Sequence, residues 1–175
     1  KSSAASDVYK RQALTLSGLS TRRFAFEAFL PPDKKERKAI LEELKNETRT
    51  IILYEAPHHL VGTLQELYQA LGNRRMTLCR ELTKKHETAF RTTIEDLIAF
   101  YKDQKPLGEC VLVIEGRSRK EMEQESQESW RDISIEEHMV IYENQGIARK
   151  EAMKMVAKDR GVTKRDIYQA LLLQK

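Results

Sequence analysis

The sequence is poor in cysteine, with two among 175 residues. That is too few for the disulfide framework on which small secreted domains depend. Cys79 and Cys110 sit inside apolar, strand-like runs, where a free thiol behaves as a small buried hydrophobe in a reducing cytosol. A disulfide between neighbouring strands is the alternative. No apolar run approaches the roughly 20 residues of a membrane-spanning helix, and the first residues carry no signal-peptide core. The expectation is a soluble, cytoplasmic protein. Charge of one sign is also scarce. The 31 Lys and Arg exceed the 27 Asp and Glu by only four, which does not by itself announce a nucleic-acid partner. Internal repeats and low-complexity tracts are missing as well.

The distribution of charge says more than its total. From Ile147 onward there are eight Lys and Arg against three Asp and Glu, a net of +5, so the rest of the chain carries −1. At the other end, Lys1–Gln12 shows no clear periodicity and joins abruptly to a segment that reads as the end of a helix in mid-protein. It is read as a foreign scar outside the fold, a flexible native tail being the alternative.

Between these ends the pattern is α/β. Gly18 stops a helix, and "FAFEAFL" alternates as a half-buried strand until Pro31 and Pro32 break it. Asp33–Lys45 is helical, with Ile40, Leu41 and Leu44 on one face. Thr50–Tyr54 is a continuous apolar run, the mark of a strand covered on both sides. Leu60, Val61, Leu64, Leu67, Tyr68 and Leu71 fall at helical spacing, Gly72 closes that helix, and Met76–Cys79 is the next strand. This strand–helix–strand unit predicts two parallel strands with a right-handed crossover. "ETAFRT" is a weaker strand, Thr93 with Asp96 caps a helix, and Cys110–Glu115 is the last strong strand. The fold expected for residues 13–116 is a mixed, five-stranded sheet with flanking helices.

Residues 117–132 are charged and nearly free of aliphatics, the composition of a solvated linker in which Trp130 alone is equipped to dock. A small basic helical module follows over 133–175. Ser134 and Glu137 form a capping box, and Gly146 ends that helix. The next carries Ala148, Ala152, Met155 and Val156 on one face and Lys150, Lys154 and Lys158 on the other. Thr163 and Asp166 cap the last, with Ile167, Ala170 and Leu171 inward. The arrangement resembles a helix-turn-helix. Lys150, Lys154, Lys158, Lys164 and Arg165 are the candidate RNA contacts, a solvated surface being the plainer reading.

Each buried strand runs straight into polar residues: "LYEAPHH" after the first, "CRELTKKHE" after the second. In open α/β sheets the crevice beyond the carboxyl ends of the strands is where ligands bind. Tyr54, Glu55, His58, Arg80, Glu81, Thr83 and Lys84 are thus expected along one rim. An ordinary salt-bridged surface is the alternative. His58, His59, His86 and the cysteines fit no zinc spacing, and the cysteines lie mid-strand, so no metal site is expected.

In this order, "GLSTRRFAFEAFLP", "RTIILYEAPHHLVGTLQEL", "NRRMTLCRELTKKHE", "RTTIEDLI" and "GECVLVIEG" resemble the C-terminal domain of the ribosomal RNA small-subunit methyltransferase I family. That family lies in the tetrapyrrole-methylase superfamily and uses S-adenosylmethionine to methylate a cytidine 2′-hydroxyl. The resemblance covers Ala13–Gly116, and the tail resembles the family's basic terminal module. It implies a cofactor cleft between this domain and an N-terminal one, with a glycine-rich loop, that this sequence does not contain. The chain is then a fragment, inactive alone, of an enzyme that acts on the small ribosomal subunit and whose superfamily is often dimeric. By motif, Tyr54, Glu55, Arg80, Leu107 and Gly108 would border the cofactor. Glu81, Thr83 and Lys84 would face RNA, with Glu81 and Lys84 the catalytic candidates, because a ribose hydroxyl needs a group to remove or polarise its proton. Two positions depart from the family pattern: Ala28 stands where Gly is usual, and His59 where Arg is. A tetrapyrrole methyltransferase and a non-catalytic RNA-binding module are the rival readings.

Overall fold

A computed structural model describes residues 3–173, with side chains from residue 8 onward. The chain divides into two compact units, the first ending at Arg117 and the second beginning at Ser118.

The first unit is a five-stranded sheet in the order β1-β2-β5-β3-β4, built from β1 (Phe24–Phe29), β2 (Thr50–Glu55), β3 (Arg75–Arg80), β4 (Thr88–Thr93) and β5 (Cys110–Ile114). β1 and β2 are parallel; β5 runs antiparallel to both β2 and β3, and β4 antiparallel to β3. The predicted β2–β3 unit is therefore parallel but not adjacent, because β5 inserts between its strands. All five β5 residues are buried, and an all-apolar strand gains most from a central place with both faces covered.

Alternation along the strands gives the sheet two apolar faces. Ile51, Leu53, Leu78, Leu112 and Ile114 form one core with α2 (Lys34–Lys45), α3 (Leu60–Leu71) and α4 (Ile94–Phe100). Ile52, Cys79, Val111 and Val113 form the other, against Ala13 and Leu14 of α1 (Ser3–Ser17). Sequence periodicity left Lys1–Gln12 outside the fold, but α1 runs through it from Ser3. Nothing between Ser3 and Gln12 is Gly or Pro, so the helix anchored at Ala13–Leu14 continues backward unbroken. Tyr9 packs against this second core, and Lys10 Nζ lies 4.2 Å from the centre of the Phe26 ring.

Among the described residues the second unit contains four helices: α5 (Arg119–Ser129), α6 (Ile135–Asn144), α7 (Arg149–Asp159) and α8 (Lys164–Leu173). The linker expected over 117–132 is thus mostly helix. Its Arg, Lys, Glu, Gln and Met residues are strong helix formers, and no α5 residue is buried, so the helix lacks the apolar stripe that betrays one in sequence. Trp130 caps it and stacks on His138 with ring centres 3.7 Å apart. The core is Met139, Ala152, Val156, Ala157 and Ile167. Met153 packs inward where Met155 was expected, Met155 being exposed. The Ser134–Glu137 capping box is present in both directions. Among the described residues no helix is long and apolar enough to cross a membrane.

Candidate functional site

One register fact assembles the rim. Cys110, the first residue of β5, pairs with Glu55 at the end of β2 and with Arg80 at the end of β3. The carboxyl ends of two parallel strands and the entry to a third therefore meet at one edge of the sheet. Glu55, Arg80 and Glu81 all lie close enough for their charges to act on the Cys110 thiol.

Arg80 reaches across this edge. Its Nε donates to the Leu107 carbonyl at 2.9 Å and its Nη1 to the Tyr101 hydroxyl at 3.4 Å. It makes no ion pair among the described residues, so its charge remains available at the half-buried rim. Glu81 stitches the same two loops together. Its backbone N–H donates to the Glu109 carbonyl at 3.2 Å, and its Oε1 accepts the Glu109 N–H at 2.9 Å. Its Oε2 lies 3.1 Å from Lys84 Nζ, which also stands 3.3 Å from Glu109 Oε2. The Glu109 N–H and then Lys84 hold the Glu81 carboxyl below its usual range, while Glu81 and then Glu109 push Lys84 upward. Glu81 is thus a weakened base and Lys84 a persistent cation.

The backbone here is special. Glu81 and Thr83 have φ of 51° and 64°, and Gly108 has φ of 79°. A Cβ on Gly108 would stand 2.2 Å from Glu81 Oε1, so the side chain of Glu81 uses space that only glycine leaves. Leu107, beside it, is 68% exposed.

Glu55, expected at the border of the cofactor, stands at the end of β2. It is buried. Its Oε2 accepts the Thr63 hydroxyl at 2.5 Å and its Oε1 the Ala56 N–H at 2.8 Å. Thr63 in turn accepts Arg37 Nη2 at 2.7 Å, tying the end of β2 to α2 and α3. Tyr54 points to the opposite face, among Phe26 and Phe29. His58 and His59 are exposed at the start of α3, rings 4.1 Å apart. Thr83 is exposed, and its N–H donates to Glu87 Oε2 at 2.8 Å.

Glu109, Tyr101, Thr63 and Arg37 were not among the candidate site residues read from the sequence. Only Glu109 carried a signal, since it enters a buried strand just after a glycine. Among the described residues no three His, Cys, Asp or Glu gather as metal ligands. The rim is an open edge; a concavity of about 370 Å³ in this unit lies instead at the other end of β3, where Arg75, Thr77, Arg91 and Thr93 meet Gly18.

In the helical unit, Lys150, Lys154, Lys158 and Arg165 are exposed and Lys164 half-buried. Lys154 Nζ pairs with Glu151 Oε1 at 2.8 Å. Lys150, Lys154 and Lys158 recur every four residues along one side of α7, opposite Ala152 and Val156.

Residues 3–98 match the family Tetrapyrrole (Corrin/Porphyrin) Methylases. The chain is also similar to proteins named ribosomal RNA small subunit methyltransferase I. That of Halalkalibacterium halodurans is 44% identical over 156 residues, covering 89% of this chain and 53% of the relative. The Bacillus subtilis protein is 42% identical over 158 residues, covering 90% and 54%. The Synechocystis protein is 40% identical over 161 residues, covering 91% and 56%. The chain spans about half the length of these relatives.

Proposed function

This chain belongs to the tetrapyrrole methylase family, and from that premise we propose that it supplies one wall of a methyl-transfer cleft and an RNA-facing tail. The reaction is methylation of a cytidine ribose 2′-hydroxyl in small-subunit ribosomal RNA, with S-adenosylmethionine as donor. The observation that carries the reading is the double pairing of Cys110, which brings Glu55, Arg80, Glu81 and Leu107–Glu109 to one sheet edge. The similar proteins are named for small-subunit ribosomal RNA, which supports the substrate.

The rim fits the donor in two respects. Arg80 offers guanidinium N–H groups with no carboxylate partner among the described residues, suited to an anionic end. Leu107 and Gly108 offer main chain at an exposed loop. When bound, the cofactor supplies an electrophilic methyl group on sulfur. The residues of this chain then have positioning as their main task, which in-line transfer rewards strongly. Arg80, Leu107 and Gly108 would border the cofactor directly. Tyr54 and Glu55 would do so through the β2 end that Glu55 locks to Thr63.

Glu81 and Lys84 remain the candidates nearest the ribose, but their chemistry favours positioning over proton removal. An efficient general base has a pKa near the working pH. Glu81 is held below the usual carboxylate range with both oxygens engaged, and Lys84 is held above the usual amine range. Glu81 therefore fixes the loop, and Lys84 presents positive charge to phosphate. Lys150, Lys154, Lys158, Lys164 and Arg165 extend that charge on the helical unit.

The test is single-turnover methylation by this chain joined to the N-terminal domain that the resemblance implies. Small-subunit RNA should be the acceptor, and Glu81→Gln should slow the step by less than about tenfold. A loss of about a hundredfold or more with saturating RNA would mark Glu81 as a base after all. The family's description favours one other reading, a tetrapyrrole acceptor. Labelling of a porphyrin or corrin in place of RNA would establish it.

A further inference from the structure

The helical unit holds a concavity of about 410 Å³ that none of the RNA-facing lysines explains. Its volume lies in the range of small-ligand pockets, roughly 300–1,000 Å³. Gln127, Trp130, Arg131, Arg160 and Asp166 line it over a floor that includes the buried Ile167. One face of the Trp130 indole is covered by His138, stacked within 12° of parallel, which holds the ring rigid, and the same residue lines the pocket. Arg160 is equally fixed: its Nε donates to His138 Nδ1 at 3.2 Å and its Nη2 to the Ile133 and Ser134 carbonyls. Gln127 lies against the bare Cα of Gly161, where a Cβ would stand 2.3 Å from its Nε2. Asp166, another lining residue, accepts both Thr163 hydrogen bonds at Oδ2, which leaves Oδ1 free of them. Arg131 is exposed and makes no ion pair among the described residues.

A flat, preset aromatic surface, an amide, a carboxylate oxygen and an unpaired guanidinium in one concavity match one chemistry closely. Aromatic rings stack bases of any identity, an amide and a carboxylate address base edges, and a guanidinium takes the neighbouring phosphate. We propose that this pocket takes one unpaired base of a single-stranded RNA segment, stacked on Trp130, with Arg131 on the adjoining phosphate. The proposal deepens the RNA reading above and rests on it. It places base recognition between the helices, separate from the phosphate contacts along α7.

Trp130 is the single tryptophan of the chain, so its fluorescence reports this pocket alone. The full chain would be titrated with a single-stranded RNA hexamer and with an abasic hexamer of equal charge. The RNA hexamer should quench Trp130 and the abasic one should not. By anisotropy of labelled RNA, Trp130→Leu should weaken binding by about tenfold, the range of a lost base stack. Trp130→Phe should restore most of that loss, and Arg131→Ala should lower affinity for both oligomers. Circular dichroism confirms that each variant keeps its helices. RNA that binds without quenching, and equally well to the Trp130→Leu and Trp130→Phe variants, overturns the pocket while leaving the RNA reading intact. Failure of the wild-type chain to bind either oligomer overturns both.

Discussion

Ala28 sits at φ 53°, where β1 shifts register against β2 between Phe26 and Ala28. An L-residue held in that left-handed region costs about 1–2 kcal/mol, and glycine removes the penalty. That strain is of the kind the glycine implied by the resemblance would relieve. Ala28→Gly should therefore stabilise the first unit by about 1 kcal/mol, read as a raised urea midpoint with an unchanged slope. A destabilised variant would mean that the methyl group packs usefully there. Gly108 is the converse case. Gly108→Ala should loosen the rim by at least the left-handed penalty of about 1 kcal/mol, because its Cβ also evicts the Glu81 carboxylate. The cysteines are inert for a different reason. Burial pushes the Cys79 thiol up to about 12 and the Cys110 thiol up to about 11. Both are raised, so thiolate stays scarce at neutral and mildly alkaline pH. Iodoacetamide at pH 8 should modify neither in the native protein and both in urea; rapid native labelling of Cys110 would show that the rim opens.

Among the elements, the residues at β2, β3 and β5 were legible because each is a short apolar run ending in polar residues. Arg80, Glu81 and Lys84 were legible as rim residues by the same logic. The place of β5 between β2 and β3 was not, since pairing partners 30 or more residues away leave no mark on local periodicity. Glu109 escaped notice for that reason: it joins the site only because β5 enters there. Helix α5 was illegible because it buries nothing. Glu55 was correctly put at the edge, but its burial on Thr63 depends on the packing of α2 and α3. That packing gives a test. Thr63→Val keeps the shape yet leaves a buried Glu55 oxygen without its donor, at a cost of about 1–3 kcal/mol. An unchanged midpoint in urea would show that another group replaces the hydroxyl. In the second unit, Ser134→Ala removes the capping box and should cost about 1 kcal/mol, followed by Trp130 emission. Acid should act on the rim through Glu81. Its pKa is lowered in the fold, so its contribution is complete above the ordinary carboxylate value and is lost as pH falls through the lower, folded one. The rim should thus be constant from pH 8 to about 5 and weaken only below the normal carboxylate range.

At the scale of the whole molecule, the first unit carries 20 Lys and Arg against 16 Asp and Glu, whereas the second carries 11 of each, its net of +5 from Ile147 onward offset by −5 over residues 118–146. Charge of opposite sign in two stretches of one unit suits a protein that meets a polyanion through the basic stretch alone. Replacing Lys150, Lys154 and Lys158 by Ala should weaken RNA binding and reduce its salt slope by about three, with cofactor affinity unaltered. The central claim is that this chain is one wall of a cleft, and calorimetry with S-adenosylmethionine tests it most directly. Binding should be undetectable or weaker than millimolar for the chain alone and should appear when the implied N-terminal domain is joined to it. Arg80→Ala in the joined protein should lower it by about tenfold, the loss of a charge-assisted hydrogen bond. Micromolar binding by the 175-residue chain alone would contradict the account.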